Sequence, residues 1–337
     1  MVDDAVLKSA QNGDEHAFAR LVAPYRRELR AHCYRMAGSL HDADDLMQDS
    51  LLRAWKGLPR FEGRSDLRTW LYKVTTRACL DSLELRSARV LPKQLGPAVG
   101  PNDTMGAPRT DPIWLEPCPA ELYQDTTLSP EAQLGQRQSV ALAFLVALQR
   151  LPAKQRVVLI LRDVVGWEAA ECAQLLDLSV AACNSALQRA RETLEAKTAP
   201  AVDHRNRDLD DKTAALLLRY VAAWERADTS QLVALLHEDA TLAMPPISEW
   251  LQGSAVIGAS IAAMVFQPAG PGAFRLVACE ANGQPAFAAY QRDPSTGDLR
   301  AAALHLLEVR DGRIAGILAF LDPSLFGAFG LPETLVS

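Results

Sequence analysis

Residues 167–191 read Trp167-Glu-Ala-Ala-Glu-Cys-Ala-Gln-Leu-Leu-Asp-Leu-Ser-Val-Ala-Ala-Cys-Asn-Ser-Ala-Leu-Gln-Arg-Ala-Arg191. A helix of small residues runs into Asp177-Leu178-Ser179, and Ser179 stands where an N-cap would open a second helix. On that second helix Val180, Cys183, Leu187, Ala190 and Leu194 recur at three- and four-residue steps, which assigns them to the inward face. Asn184, Ser185, Gln188, Arg189 and Arg191 are left on the outer face. Amide, hydroxyl and guanidinium groups presented from one helix suit base-edge and phosphate contacts in a DNA major groove. An ordinary helical hairpin with a solvated polar face fits the same stretch.

Helical periodicity extends outward from this stretch over 137–199, with Leu151-Pro152 and Gly166-Trp167 as punctuation, which defines one helical domain. A second helical bundle occupies residues 1–90, where only Pro24 and Pro59 interrupt the pattern. Between them, 91–136 holds eight of the chain's 20 prolines and no sustained period, so it reads as a linker in which Trp114 and Leu115 dock locally at most. Beyond a polar stretch at 200–210 the pattern changes. Two helices (about 211–227 and 230–237) precede short β-rich runs at Ala240–Met244, Phe274–Glu280, Ala286–Tyr290, Ala301–Val309 and Ile314–Phe320. Asp311-Gly312 between the last two is a hairpin signal, and 208–337 is therefore an α+β domain.

A net charge of −6 argues against a nucleic-acid binder until it is divided by domain. Residues 1–90 carry 15 basic and 13 acidic side chains and 137–197 carry 8 and 6, whereas 208–337 carry 8 and 15. The helical domains can thus present basic faces. The six cysteines (33, 79, 118, 172, 183 and 279) form no C-x-x-C pair, which points to reduced thiols and away from a zinc site; no cofactor is expected. The first residues are acidic and no apolar run reaches membrane-spanning length, so a cytoplasmic protein without membrane contact is expected.

Two more stretches carry chemistry. In Asp42-Ala-Asp-Asp-Leu-Met-Gln-Asp-Ser-Leu-Leu-Arg-Ala-Trp55, Ala43, Leu46, Met47, Leu51 and Ala54 form a buried stripe, and Asp42, Asp45 and Asp49 align on another face. Such an acidic stripe is either a solvated face or a contact for a basic protein. In Arg60-Phe-Glu-Gly-Arg-Ser-Asp-Leu-Arg-Thr-Trp-Leu-Tyr-Lys-Val-Thr-Thr-Arg77, aromatic rings alternate with bases, an arrangement suited to single-stranded DNA unless Trp70 and Tyr72 belong to the core.

Together with Leu151-Pro-Ala-Lys-Gln-Arg-Val-Val-Leu-Ile-Leu-Arg-Asp163, these stretches resemble, in order and spacing, conserved regions two and four of extracytoplasmic-function (ECF) sigma factors of the sigma-70 family. The resemblance implies two all-α sigma domains, a region 2 bundle and a region 4 helix-turn-helix. It places Asp42, Asp45, Leu46, Gln48 and Asp49 against the β′ clamp of core RNA polymerase, with the β flap as a further contact. By the same likeness Phe61, Arg64, Ser65, Arg68, Lys73, Thr76 and Arg77 open and hold the −10 promoter element, where extruding a base costs a few kcal/mol. Asn184, Ser185, Gln188, Arg189 and Arg191 fall on the helix that reads −35.

The third domain resembles SnoaL-like proteins, a cone-shaped fold shared with ketosteroid isomerases, and the whole chain is similar to the SigG-like branch of ECF factors. Tyr220, Trp224, Met244, Trp250, His305 and Phe320 are candidate pocket residues for a small ligand. No catalytic carboxylate base is evident: Asp239 and Asp322 read as turn or capping residues. The expected function is promoter-directed transcription initiation, regulated by intramolecular contact of the third domain with the sigma domains. A ligand-responsive helix-turn-helix repressor and a DNA-recruited SnoaL-like enzyme are the competing readings.

Overall fold

A computed structural model of the chain describes residues 4–83, 87–100, 103, 105–110, 114–124, 129–197 and 211–335. The polar stretch 200–210 lies outside them. The chain packs as two units, 1–89 with 121–199 and 90–120 with 200–337.

The first unit is helical. Its N-terminal part comprises α1 (Asp4–Gln11), α2 (Glu15–Val22), α3 (Arg26–Ala37), α4 (Leu40–Gly57) and α5 (Leu67–Leu83). Gly38, at φ 73°, ends α3 in the left-handed conformation that glycine tolerates. The next residue opens α4: Ser39 Oγ accepts from the Asp42 N–H at 3.1 Å. Helices α6 (Pro130–Gln138), α7 (Leu142–Gln149), α8 (Ala153–Leu159), α9 (Ala169–Leu176) and α10 (Val180–Lys197) complete the unit. The two helical groups share buried contacts. Arg156 of α8 is buried and donates to the Met36 carbonyl at the end of α3, to Gln149 Oε1 at 3.0 Å and to the Gln149 carbonyl at 3.0 Å. Burial pulls its pKa down to about 10, so the guanidinium keeps its charge at neutral pH. The Tyr72 and Trp167 rings lie 5.3 Å apart.

The second unit is α+β. Helices α11 (Asp211–Glu225), α12 (Thr229–Leu235) and α13 (Ser254–Ile261) cover a sheet of β1 (Leu236–Ala243), β2 (Trp250–Gln252), β3 (Phe274–Ala281), β4 (Gln284–Arg292), β5 (Leu299–Arg310) and β6 (Arg313–Phe320). The strand order is β2-β1-β6-β5-β4-β3, with β1 and β6 parallel and the remaining neighbours antiparallel, while β7 (Thr334–Leu335) pairs with β5. Asp311 (φ 51°) and Gly312 (φ 70°) make the two-residue hairpin turn that the sequence announces, and Asn282 (φ 53°) with Gly283 (φ 72°) makes another between β3 and β4. Register shifts at Ala289/Tyr290 and Glu308/Val309 mark the bulges that bend such sheets.

The segment 91–136, expected to be a linker without structure of its own, divides between the units. Two points of the stretch 90–120 pair with the two edges of the sheet: Val99 bridges Leu251 in β2, and Pro119 bridges Ala281 in β3. Cys118 N–H donates to Asn282 Oδ1 at 2.9 Å, and Asn282 N–H donates to the Cys118 carbonyl at 3.0 Å. Leu115 and Cys118 are fully buried. Unpaired edge strands present free N–H and C=O groups, and this strap satisfies part of both rows.

Candidate nucleic-acid interface

The α9–α10 pair forms as a capped helix-turn-helix. Asp177 sits in the left-handed region at φ 55° and ends α9, and Ser179 Oγ accepts from the Ala182 N–H at 3.1 Å to start α10. Cys183, Leu187 and Ala190 are buried. Asn184, Ser185, Gln188, Arg189 and Arg191 are all exposed on the other side. Val180, expected to face inward, is 46% exposed because it opens the helix, where no preceding turn covers it. Arg191 pairs with Asp163 at 2.7 Å and Gln188 donates to Glu192 at 2.9 Å.

The Phe61–Arg77 segment leaves α4 through a tight turn at Leu58–Arg60. Gln11 Nε2 donates to the Phe61 carbonyl at 2.9 Å, and Asp66 Oδ1 accepts from the Thr69 N–H at 2.7 Å to begin α5. Phe61 packs on the half-buried Trp70 with ring centroids 5.1 Å apart, while Tyr72 is buried in the core. Arg64 and Arg77 are exposed; Ser65, Arg68 and Lys73 are half-buried. Arg68 reaches Glu28 at 2.6 Å and lies over the Tyr72 ring, and Arg77 reaches Asp177 at 2.8 Å. Thr76 does not reach the surface: it is fully buried, with its hydroxyl 3.0 Å from His32 Nε2. Burial holds that imidazole neutral, with its pKa lowered to about 3.

On α4, Asp45 and Gln48 are exposed and Asp49 is half-buried. Asp49 pairs with Arg53 at 2.9 Å, and Asp45 lies 3.8 Å from His41. Two residues assigned to this face lie elsewhere. Asp42 is 7% exposed because Arg89 folds onto it, and Leu46 belongs to the apolar stripe at 6%. The acidic surface is therefore Asp45 with Asp49.

In the second unit a cavity of about 330 Å³ is lined by Trp224, Met244 and His305 among others. Tyr220 lies behind His305, its hydroxyl 3.0 Å from Nδ1. Trp250 and Phe320 are outside the lining: the Trp250 indole donates to the Gly96 carbonyl at 2.9 Å on the strap, and Phe320 is buried in the protein interior. Gln291, absent from the expected set, does line the cavity, and the period-two spacing of Phe287, Ala289 and Gln291 in β4 carried that signal. Asp239, read as a turn residue, lies in β1. Desolvation is the largest single influence and raises its pKa, but His237 at 2.6 Å and Arg310 at 2.7 Å together outweigh it and hold the carboxyl below the usual range. Asp322 accepts from the Ser324 N–H at 3.0 Å, as a turn residue does. Among the described residues no group of three or more His, Cys, Asp or Glu side chains is arranged to hold a metal.

Residues 21–89 match the Sigma-70 region 2 family, 141–194 match Sigma-70, region 4, and 217–317 match the SnoaL-like domain. Across 323 residues, 94% of this chain and 85% of the relative, it is 45% identical to the ECF RNA polymerase sigma factor SigG of Mycobacterium tuberculosis (strain ATCC 25618 / H37Rv). The chain belongs to the ECF sigma factors. A second ECF factor, SigJ of the same strain, is 29% identical over 318 residues, covering 91% of this chain and 93% of SigJ. The crystal structure of M. tuberculosis SigJ superposes with a TM-score of 0.58 at 25% identity, covering 91% of this chain and 97% of that one. This ECF sigma factor therefore carries a SnoaL-like domain C-terminal to its two sigma regions, and the repressor and enzyme readings gain no support from its relatives.

Proposed function

We propose that this sigma factor binds core RNA polymerase, recognises −35 and −10 elements and directs initiation in the cytoplasm, with its SnoaL-like domain regulating it in cis. The observation that carries the reading is the α10 face, where Asn184, Ser185, Gln188, Arg189 and Arg191 are exposed over a buried Cys183–Leu187–Ala190 stripe. These are the amide and guanidinium groups that bond adenine and guanine edges in a major groove. Asp45 and Asp49 supply the acidic contact to the β′ clamp, with Gln48 as a polar neighbour, and the −35-reading unit sits at the β flap. Phe61, Arg64, Ser65, Arg68, Lys73 and Arg77 hold the −10 strand. Arg68, Arg77 and Arg191 are already paired with Glu28, Asp177 and Asp163. The Arg77 and Arg191 pairs are exposed and worth only about 0–1 kcal/mol, so phosphates can take over these two arginines, whereas the half-buried Arg68–Glu28 pair holds its arginine more firmly.

The cis-regulatory part follows from reach. Elements named −35 and −10 lie about 25 base pairs apart, or roughly 85 Å along B-form DNA. In the first unit, by contrast, Arg77 of the −10 set touches Asp177 of the −35 unit. Engaging both elements requires the two halves to separate, with 90–120 spanning the gap. Extended, that segment reaches about 100 Å, but it can do so only after leaving the sheet edges of the SnoaL-like unit. The SnoaL-like domain thus opposes opening by holding the strap. Among the described residues no helix is long and apolar enough to cross a membrane.

The test is initiation by core polymerase on promoters selected by the protein itself. Gln188→Ala with Arg189→Ala should lower it by about 10- to 100-fold, the loss of one or two base contacts. Equal initiation by the double variant would reject the assignment.

A further inference from the structure

The two helices of the helix-turn-helix open on different chemistry. At the start of α9, Glu168 is the cap residue, and Glu171 in the first turn accepts from the Glu168 N–H at 2.7 Å. Carboxylates suit a solvated helix start, because they offset the positive end of the backbone dipole. The first turn of α10 holds no acidic side chain. Ser179 spends its hydroxyl on the Ala182 N–H, and Val180 and Ala181, both exposed, follow it.

Val180 is 46% exposed. A single exposed valine needs no explanation on an ordinary surface, but this one has a defined position. It stands four residues before the exposed Asn184, hence on the same flank of α10 and about 6 Å away along the axis, the rise of roughly two base pairs. In a helix-turn-helix the N-terminal residues of the second helix are those that contact base edges. The major groove offers one apolar group there, the C5 methyl of thymine, whereas cytosine presents an N4–H donor. A valine side chain covers the methyl and gives the cytosine amine no acceptor. A carboxylate at the same point would accept from cytosine and repel phosphate.

We infer that Val180 is a specificity-determining residue that selects thymine over cytosine in the −35 element by packing on the thymine C5 methyl. The inference rests on the reading of α10 as the −35 helix. It extends that reading to a base recognised by apolar contact, beside those that Asn184, Gln188 and Arg189 reach through hydrogen bonds.

The experiment uses holoenzyme formed from the full-length protein and core polymerase, bound to duplex promoters that it selects from a random library. Each −35 thymine, on either strand, is replaced in turn by deoxyuridine, which removes the methyl and leaves every hydrogen-bonding group in place. At one position the parent should bind about fourfold more weakly, the worth of one buried methyl. Val180→Ala should erase that difference by weakening binding to the thymine form alone. Alanine is the better helix former and the valine is exposed, so α10 keeps its structure. An equal deoxyuridine penalty in Val180→Ala, no penalty at any −35 thymine in the parent, or a selected element without a constant thymine would overturn the inference. The reading of α10 itself is struck by a different result, parental affinity in Gln188→Ala with Arg189→Ala.

Discussion

At the scale of single residues, position in a motif and position in the fold part company. Arg156 lies in a stretch whose resemblance assigns it no role, yet it is buried and donates to the Met36, Gln149 and Leu151 carbonyls. Arg156→Met should leave those acceptors unsatisfied and destabilise the first unit by roughly 2–4 kcal/mol in urea unfolding; a loss under about 0.5 kcal/mol would contradict that role. His305 gives a pH prediction. Its folded pKa of about 4 lies below the ordinary value near 6.5, so the unfolded chain binds the extra proton first as pH falls. Above about pH 6.5 the group contributes nothing. Between 6.5 and 4 it destabilises the fold progressively, by on the order of 3 kcal/mol at pH 4. Urea titrations at pH 7, 5 and 4 should show a smaller loss in His305→Phe than in the parent; equal losses would contradict burial of the neutral ring. The sequence told less about Asp42 and Thr76. The resemblance assigns each a role, but Asp42 is covered by Arg89 and Thr76 by His32, partners more than forty residues away that no local period reveals.

At the scale of elements, what was legible depended on whether a period or a turn announced it. The middle of the α10 stripe, Cys183, Leu187 and Ala190, and the Asp311-Gly312 hairpin follow from spacing and turn chemistry, and both form, while Val180 at the start of the helix is exposed and Leu194 is half-buried. The strap could not be read this way, because its pairing with the sheet consists of isolated bridges and side-chain bonds without periodicity. Trp250 was misplaced for the same reason: its partner, the Gly96 carbonyl, lies on the strap. Asn282 offers the cleanest test of that element. Its left-handed backbone at φ 53° is one that glycine adopts freely, so Asn282→Gly keeps the β3–β4 turn while removing the acceptor for Cys118 N–H. Hydrogen exchange at 114–120 should quicken, and polymerase-dependent initiation should rise. Unchanged exchange would show that the side chain does not hold the strap.

At the scale of the whole molecule, one chain combines a helical unit of nearly balanced charge with an acidic α+β unit that holds the segment joining the two sigma regions. Composition alone, averaged to −6, conceals this division; counting by domain exposes it. Deleting 208–337 is a poor probe of regulation, because it would leave Leu115 and Cys118 of the strap without the unit that buries them. The full chain is the right reagent. The most direct test of the central claim is run-off transcription with core polymerase and the full-length protein on promoters it selects from a random library. The account predicts starts at one defined position, dependent on the protein and lost when Asp45 and Asp49 are changed to Lys. Specific binding to duplex DNA without any initiation would contradict it.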